Sequence, residues 1–155
     1  MLNQTRLPWL AALTAFLLYV CTMGSGLTLS NLGLVSQLAG WSDLPIVGQP
    51  LLWFITLPLR WLPAAWVAPL LKLLSAALAA AIWGLLVRTV QLLPWDRSWD
   101  QASRLVSTLP ALTAVIVCGL EWSFWREATS TGGDLLDLLL LAAAGWLLLE
   151  YNVRR

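Results

Sequence analysis

Runs of apolar residues alternate along the chain with shorter stretches that hold most of the glycines, prolines and charged residues. Four of these runs have the length that predicts a membrane-crossing helix, since about 20 helical residues cover the hydrocarbon core of a bilayer. They lie near residues 7–23, 66–90, 105–121 and 134–151. The pattern therefore predicts an all-α, polytopic transmembrane protein with about four spans, built as a single membrane domain over residues 1–155.

The segment between the first two spans, residues 24–62, contains two shorter apolar stretches. Residues 32–39 carry an apolar stripe at helical spacing, and Gly40 follows as a helix-stop signal. Residues 51–63, LLWFITLPLRWLP, are very apolar but too few to cross a bilayer. We expect two short helices in this loop, lying at the outer interface of the membrane.

The composition supports a membrane protein and narrows its chemistry. Hydrophobic residues make up 59% of the chain and charged residues 11%, whereas soluble domains carry about 25% charged residues. The net charge is +1 without a basic patch, so we expect membrane lipid and no nucleic acid as a partner. Histidine is absent, and no cofactor or metal site is predicted. Cys21 and Cys118 lie in apolar runs, which favours small buried side chains.

The distribution of basic residues predicts the orientation, because cytoplasmic loops are enriched in Lys and Arg. With the N-terminus inside, the inner side collects Arg6, Arg88, Arg97, Arg104, Arg154 and Arg155. The outer side collects Arg60, Lys72 and Arg126. We therefore expect both termini in the cytoplasm, with the loop at 24–62 and the segment EWSFWREATSTGG (121–133) facing outward.

Tryptophans and acids near the predicted helix ends fit this arrangement. Tryptophan favours the membrane interface, and seven lie near predicted helix ends: Trp9, Trp61, Trp66, Trp95, Trp99, Trp122 and Trp125. Sugar stacking is the alternative for Trp41, Trp122 and Trp125. Asp134 and Asp137 fall in the first turn of the fourth span, where carboxylates complement the helix dipole. A functional role on the outer face is the alternative for both aspartates.

The order of segments resembles one family. The first span is followed by a loop with a short helix and by the Gly-x-Pro-Leu pattern at Gly48, Pro50 and Leu51. An apolar helix comes next, and then a second span with Ser75 and Ala76. FWREATSTGGDLLDLLLL, with Phe124, Trp125 and Ala128, then leads into the last span. This layout resembles the N-terminal part of a bacterial domain-of-unknown-function family of C-type (GT-C) membrane glycosyltransferases, similar to protein O-mannosyltransferases.

The resemblance implies sugar transfer from a polyprenyl-phosphate donor to a protein acceptor at the outer face of a bacterial inner membrane. The family's acidic residues are missing, however. Ser30 and Gly33 stand at the positions of its catalytic aspartate and nearby glutamate, and Lys72 replaces an asparagine. The later family acid corresponds to Gly132. Because such transfer needs a carboxylate to accept the acceptor's proton, the family's acid site does not carry over to these positions.

Four other residues are candidates for the chemistry. Asp43 lies in the same outer loop and is the candidate catalytic base, with a turn or helix cap as the alternative. Lys72, Arg126 and Glu127 are candidates for binding a lipid phosphate or substrate. The alternatives are snorkelling of Lys72 to the interface and an exposed neighbour pair for Arg126 and Glu127.

Three functions follow as expectations. The first is a GT-C-like glycosyltransferase homologue, either a fragment or a divergent member of the family. The second is a non-catalytic membrane scaffold or accessory subunit with a degenerate active-site loop. The third is an unrelated small four-helix protein that assists assembly or transport. The resemblance favours the first two over the third.

Overall fold

The computed structural model of the protein describes residues 6–24, 32–40, 50–92, 104–130 and 134–154. Within these ranges the regular structure is helical, without a strand. A 3₁₀ helix, Leu57–Trp61, follows α3 directly. The α-helices are α1 (Leu7–Thr22), α2 (Leu32–Leu38), α3 (Pro50–Thr56), α4 (Ala64–Leu92), α5 (Arg104–Leu120), α6 (Trp122–Thr129) and α7 (Asp134–Arg154).

Helices α1, α4, α5 and α7 coincide with the four predicted spans to within a few residues. Two described helices are long and apolar enough to cross a membrane, Ala64–Leu92 and Asp134–Val153. Helices α1 and α5 have 16 and 17 residues, short of the roughly 20 that a perpendicular crossing needs. The all-helical class is confirmed, and the number of spans stays a prediction.

Helix α4 is the centre of the bundle. It contacts α1 and α7 most extensively and also packs against α2, α5 and α6. In the most apolar stretch of 18 residues in α4, 50% of the stretch is buried inside the protein, whereas 6% of the corresponding stretch of α7 is buried. Helix α7 therefore lies at the periphery with most of its apolar surface uncovered.

Helices α1 and α4 run antiparallel. Gly84, late in α4, faces Pro8 and Ala12 at the start of α1. Gly24, just beyond the end of α1, is hydrogen-bonded to Lys72 near the start of α4. Small buried residues at four-residue spacing, Ala11 and Ala15 in α1 and Ala76 and Ala80 in α4, belong to the main core cluster. Small residues at this spacing let two helix backbones approach closely.

The segment between α1 and α4 contains the two short helices. Helix α2 ends at Leu38, and Gly40, two residues further on, has a φ of 76°, a left-handed conformation that glycine adopts without a steric cost. This confirms Gly40 as the stop. Val35 and Leu38 pack against Val67 and Leu71 of α4. The interfacial placement of α2 and α3 stays a prediction.

The 3₁₀ turn after α3 has a local cause. Pro58 lacks a backbone N–H and cannot continue the α-helical hydrogen bonding, so the chain tightens after Thr56. The Thr56 side chain is buried and its hydroxyl donates to the Leu52 carbonyl at 2.8 Å. The outward face of this segment carries exposed apolar side chains at Phe54 and Trp61.

The prediction of buried cysteines is wrong. Cys21 on α1 and Cys118 on α5 are both exposed on the surface of the bundle. An apolar run shows that a segment avoids water but does not show which of its faces packs against other helices. Both thiols therefore lie on the outward faces of their helices.

Candidate functional site

A buried polar network joins the last turns of α1 and α5 to α4. Tyr19 is fully buried, and its hydroxyl donates to the Gly119 carbonyl at 2.7 Å. The same hydroxyl accepts a hydrogen bond from the Trp83 indole N–H at 3.1 Å. One phenol thus satisfies a donor on α4 and a free carbonyl in the last turn of α5, where carbonyls have no partner within the helix.

Three aromatic rings pack around the ring of Tyr19. The Tyr19 ring packs edge-to-face against Trp83 and Trp125, with centroids 6.4 and 5.3 Å away, and tilted against Phe124 at 6.2 Å. Such arrangements suit the ring quadrupoles. Phe124 and Trp125 belong to α6, so part of the segment 121–133 is a helix that packs on α1, α4 and α5.

Gly119 is required at its position by the neighbouring indole. A Cβ atom built there would overlap the Trp83 ring. Trp83 is itself buried and held by its hydrogen bond to Tyr19, so the ring is restrained from moving aside. The close approach of α5 to α4 therefore depends on the missing side chain of Gly119.

Lys72 is buried, with 6% of its surface exposed. Its ammonium donates to the Gly24 carbonyl at 2.5 Å. A cation is favourable beside the carbonyls at a helix C-terminus, and Gly24 lies two residues beyond the end of α1. The lysine therefore ties the chain just after α1 to α4.

Arg126 and Glu127 are neighbours in the last turn of α6. Their side chains form an ion pair at 3.9 Å and are 62% and 28% exposed, as the alternative interpretation of these residues expects. Exposed pairs of this kind contribute little to stability. The structure brings these two candidates together on α6, whereas Lys72 lies on α4.

Glu121 has a defined structural role at the start of α6. Its carboxylate accepts hydrogen bonds from the backbone N–H groups of Ser123 and Phe124, both at 3.2 Å, and from the Ser123 hydroxyl. These bonds, that of the Ser123 hydroxyl foremost, hold the pKa of the Glu121 carboxyl below its ordinary value of 4.5. Glu121 is thus the N-cap of α6.

The remaining candidates are placed as follows. Asp43, Ser30 and Gly132 lie outside the described residues. Gly33 is an exposed residue of α2, and its carbonyl accepts from the Ser36 hydroxyl at 2.8 Å. Asp134 begins α7, with Asp137 in the same first turn. This confirms the predicted position of the two aspartates in that helix.

The Tyr19 network was missed from the sequence. The one available signal was the position of Trp83, a tryptophan in the interior of a predicted span rather than at its end. By contrast, four of the tryptophans that were expected at helix ends have strongly exposed side chains: Trp9, Trp61, Trp66 and Trp122.

Among the described residues, no group of three or more His, Cys, Asp and Glu side chains is placed to hold a metal ion.

No protein-family model, no curated protein and no solved structure matches this chain.

Proposed function

We propose that the protein is a four-span integral membrane protein in which α1, α4, α5 and α7 cross the bilayer of a bacterial inner membrane, with both termini cytoplasmic. The exposed apolar surface supports this placement, because lipid covers such surface without the cost of contact with water. The exposed large apolar residues of α1 and α7 include Leu13, Leu17, Leu141, Leu147 and Leu148.

Within this membrane protein, the role best supported by the geometry is that of a non-catalytic scaffold or accessory subunit. The observation that carries it is the hydrogen bond from Lys72 to the Gly24 carbonyl. A lysine that binds a lipid phosphate needs its ammonium directed at that phosphate. Here the buried ammonium fastens the chain at the end of α1, so the most deeply placed candidate serves the fold.

The polar network supports the same role. The hydroxyl of Tyr19 is committed to Gly119 and Trp83. Buried polar groups that are satisfied by one another make a rigid and specific helix arrangement. A rigid bundle with apolar outer faces is suited to binding membrane lipid and other membrane helices.

Sugar transfer is the second candidate function. The observation that favours it is α3, which begins at Pro50, the last residue of the Gly-x-Pro pattern, where the resemblance implies a helix. In this alternative Asp43 is the base that accepts the proton of a protein hydroxyl. Lys72, Arg126 and Glu127 then bind a polyprenyl-phosphate sugar.

Transfer by the purified protein distinguishes the two functions. The parent and Asp43→Asn are assayed in detergent with a polyprenyl-phosphate sugar and a membrane-protein acceptor. The scaffold role predicts no transfer by either protein. Transfer by the parent that falls at least about a hundredfold in Asp43→Asn, the usual contribution of a general base, would establish the enzyme instead.

A further inference from the structure

A groove opens between the first half of α1 and the last third of α4. Its volume is about 660 Å³. Small residues, Ala12, Ala81 and Gly84, form part of its lining. The helices approach closely here, since a Cβ on Gly84 would lie 3.4 Å from both the Ala12 Cβ and the Pro8 carbonyl oxygen. The result is a shallow apolar channel along the helix pair.

One end of the groove is polar. Arg88 and Gln91, three residues apart and thus on the same face of α4, both line it. The amide nitrogen of Gln91 is buried and has no hydrogen-bond partner among the described residues. A buried amide donor without a partner is costly, so the Gln91 side chain gains a hydrogen bond if it turns toward a ligand oxygen in the groove.

Arg88 is held in place but keeps donors for a ligand. Its guanidinium lies over the Trp146 ring of α7, 4.7 Å from the centroid. The nearest Glu150 oxygen is 3.8 Å away, and half of the Arg88 side chain is exposed. That separation is longer than a hydrogen bond, and a guanidinium carries five N–H donors. Glu150 thus offsets part of the positive charge, and the guanidinium at the groove keeps N–H donors for a ligand.

We propose that this groove binds an anionic phospholipid, with an acyl chain along Ala12, Ala81 and Gly84 and the phosphate at Arg88 and Gln91. The inference rests on the proposed membrane embedding, which places this end of α4 at the cytoplasmic interface. Arginine matches phosphate geometry, and basic pockets between membrane helices on the cytoplasmic side suit anionic head groups. Trp9, which is 77% exposed at the groove, suits the same interface.

Native mass spectrometry of the detergent-purified chain tests the head-group contact. The protein is titrated with dioleoyl phosphatidylglycerol and, separately, with dioleoyl phosphatidylcholine, which differ in net charge. The parent is expected to bind the anionic lipid about tenfold more tightly, the value of one charge-assisted hydrogen bond. Arg88→Gln and Gln91→Leu should each remove most of this preference, whereas Arg60→Gln, an exposed arginine outside the groove, should keep it.

A second pair of variants tests the acyl-chain contact. Ala81→Leu fills the groove without touching the basic end and should weaken binding of both lipids. Ala77→Leu, a likewise exposed position one turn earlier in α4 and outside the groove, is the matched control and should bind as the parent does. Equal parent affinity for the two lipids, or an unchanged preference in both Arg88→Gln and Gln91→Leu, would overturn the proposal.

The outcome is separable from that of the proposed function. A chain that is embedded in the membrane but shows no lipid preference refutes only the phospholipid site. A chain that is not embedded in the membrane refutes the proposed placement, and the lipid site with it.

Discussion

Removing the hydroxyl of Tyr19 tests whether the buried polar network holds the bundle together. Tyr19→Phe keeps the ring and its aromatic contacts but deletes one oxygen. That oxygen donates to the Gly119 carbonyl at 2.7 Å and accepts from the Trp83 indole at 3.1 Å. The variant therefore leaves a carbonyl on α5 and an N–H on α4 without this partner in the core.

The expected cost follows from these two hydrogen bonds. A typical intramolecular hydrogen bond contributes about 0.5–1.5 kcal/mol net, and bonds between membrane helices average about 0.6 kcal/mol. Two such bonds at a fully buried position give a loss of about 1–3 kcal/mol. The ring packing contributes no loss, because phenylalanine retains it.

Unfolding by sodium dodecyl sulfate in mixed micelles, followed by circular dichroism, measures this loss. Tyr151→Phe makes the same chemical change at a side chain that is 55% exposed, and its effect should stay within about 0.5 kcal/mol. Combining Tyr19→Phe with Trp83→Phe should cost less than the sum of the two single changes, since both remove one shared bond. A Tyr19→Phe loss no larger than that of Tyr151→Phe would refute the reasoning.

Three further outcomes are expected. Gly119→Ala should destabilise the bundle by about 1–3 kcal/mol through overpacking against Trp83, whereas Gly145→Ala should not, because an added Cβ there meets no atom within 4 Å. Equal unfolding curves for the two variants would contradict this. Lys72→Met should raise the rate of amide hydrogen exchange in the last turn of α1 about tenfold, and Lys72→Arg should raise it less. A change in lipid-phosphate binding without a change in exchange would instead indicate that Lys72 binds a ligand. Since the folded pKa of Glu121 is lowered, its stabilisation of α6 is present above about pH 4.5 and is lost as the pH falls through the lowered pKa. Hydrogen exchange of the first α6 amides should therefore be faster in Glu121→Gln than in the parent at pH 7, and equally fast in both in acid. A difference that persists in acid would argue against the cap.

Local signals in the sequence were sufficient for the helices and several of their ends. Gly40 stops α2 because glycine alone adopts a positive φ freely. Asp134 and Asp137 occupy the first turn of α7, where the dipole favours carboxylates. Each of these features depends on a few neighbouring residues, so the chain order alone is enough to predict it.

Features that depend on distant residues could not be predicted in this way. The bond between Tyr19 and Trp83 joins residues 64 positions apart, and no periodicity within either helix specifies that pair. Exposure of Cys21 was missed because α1 is apolar on every side, so the pattern does not show its packed face. For the segment at 121–133 the sequence analysis predicted a side of the membrane but no separate helix, and the eight residues of α6 are too few to stand out as a span.

The central claim, a four-span protein with both termini in the cytoplasm, is tested most directly by cysteine labelling in intact cells. In a chain with Cys21→Ala and Cys118→Ala, a single cysteine is introduced by Ser42→Cys or by Ser98→Cys. A membrane-impermeant maleimide should label Ser42→Cys in intact cells and Ser98→Cys only after the membrane is disrupted. Labelling of Ser98→Cys in intact cells while Ser42→Cys stays protected would contradict the account.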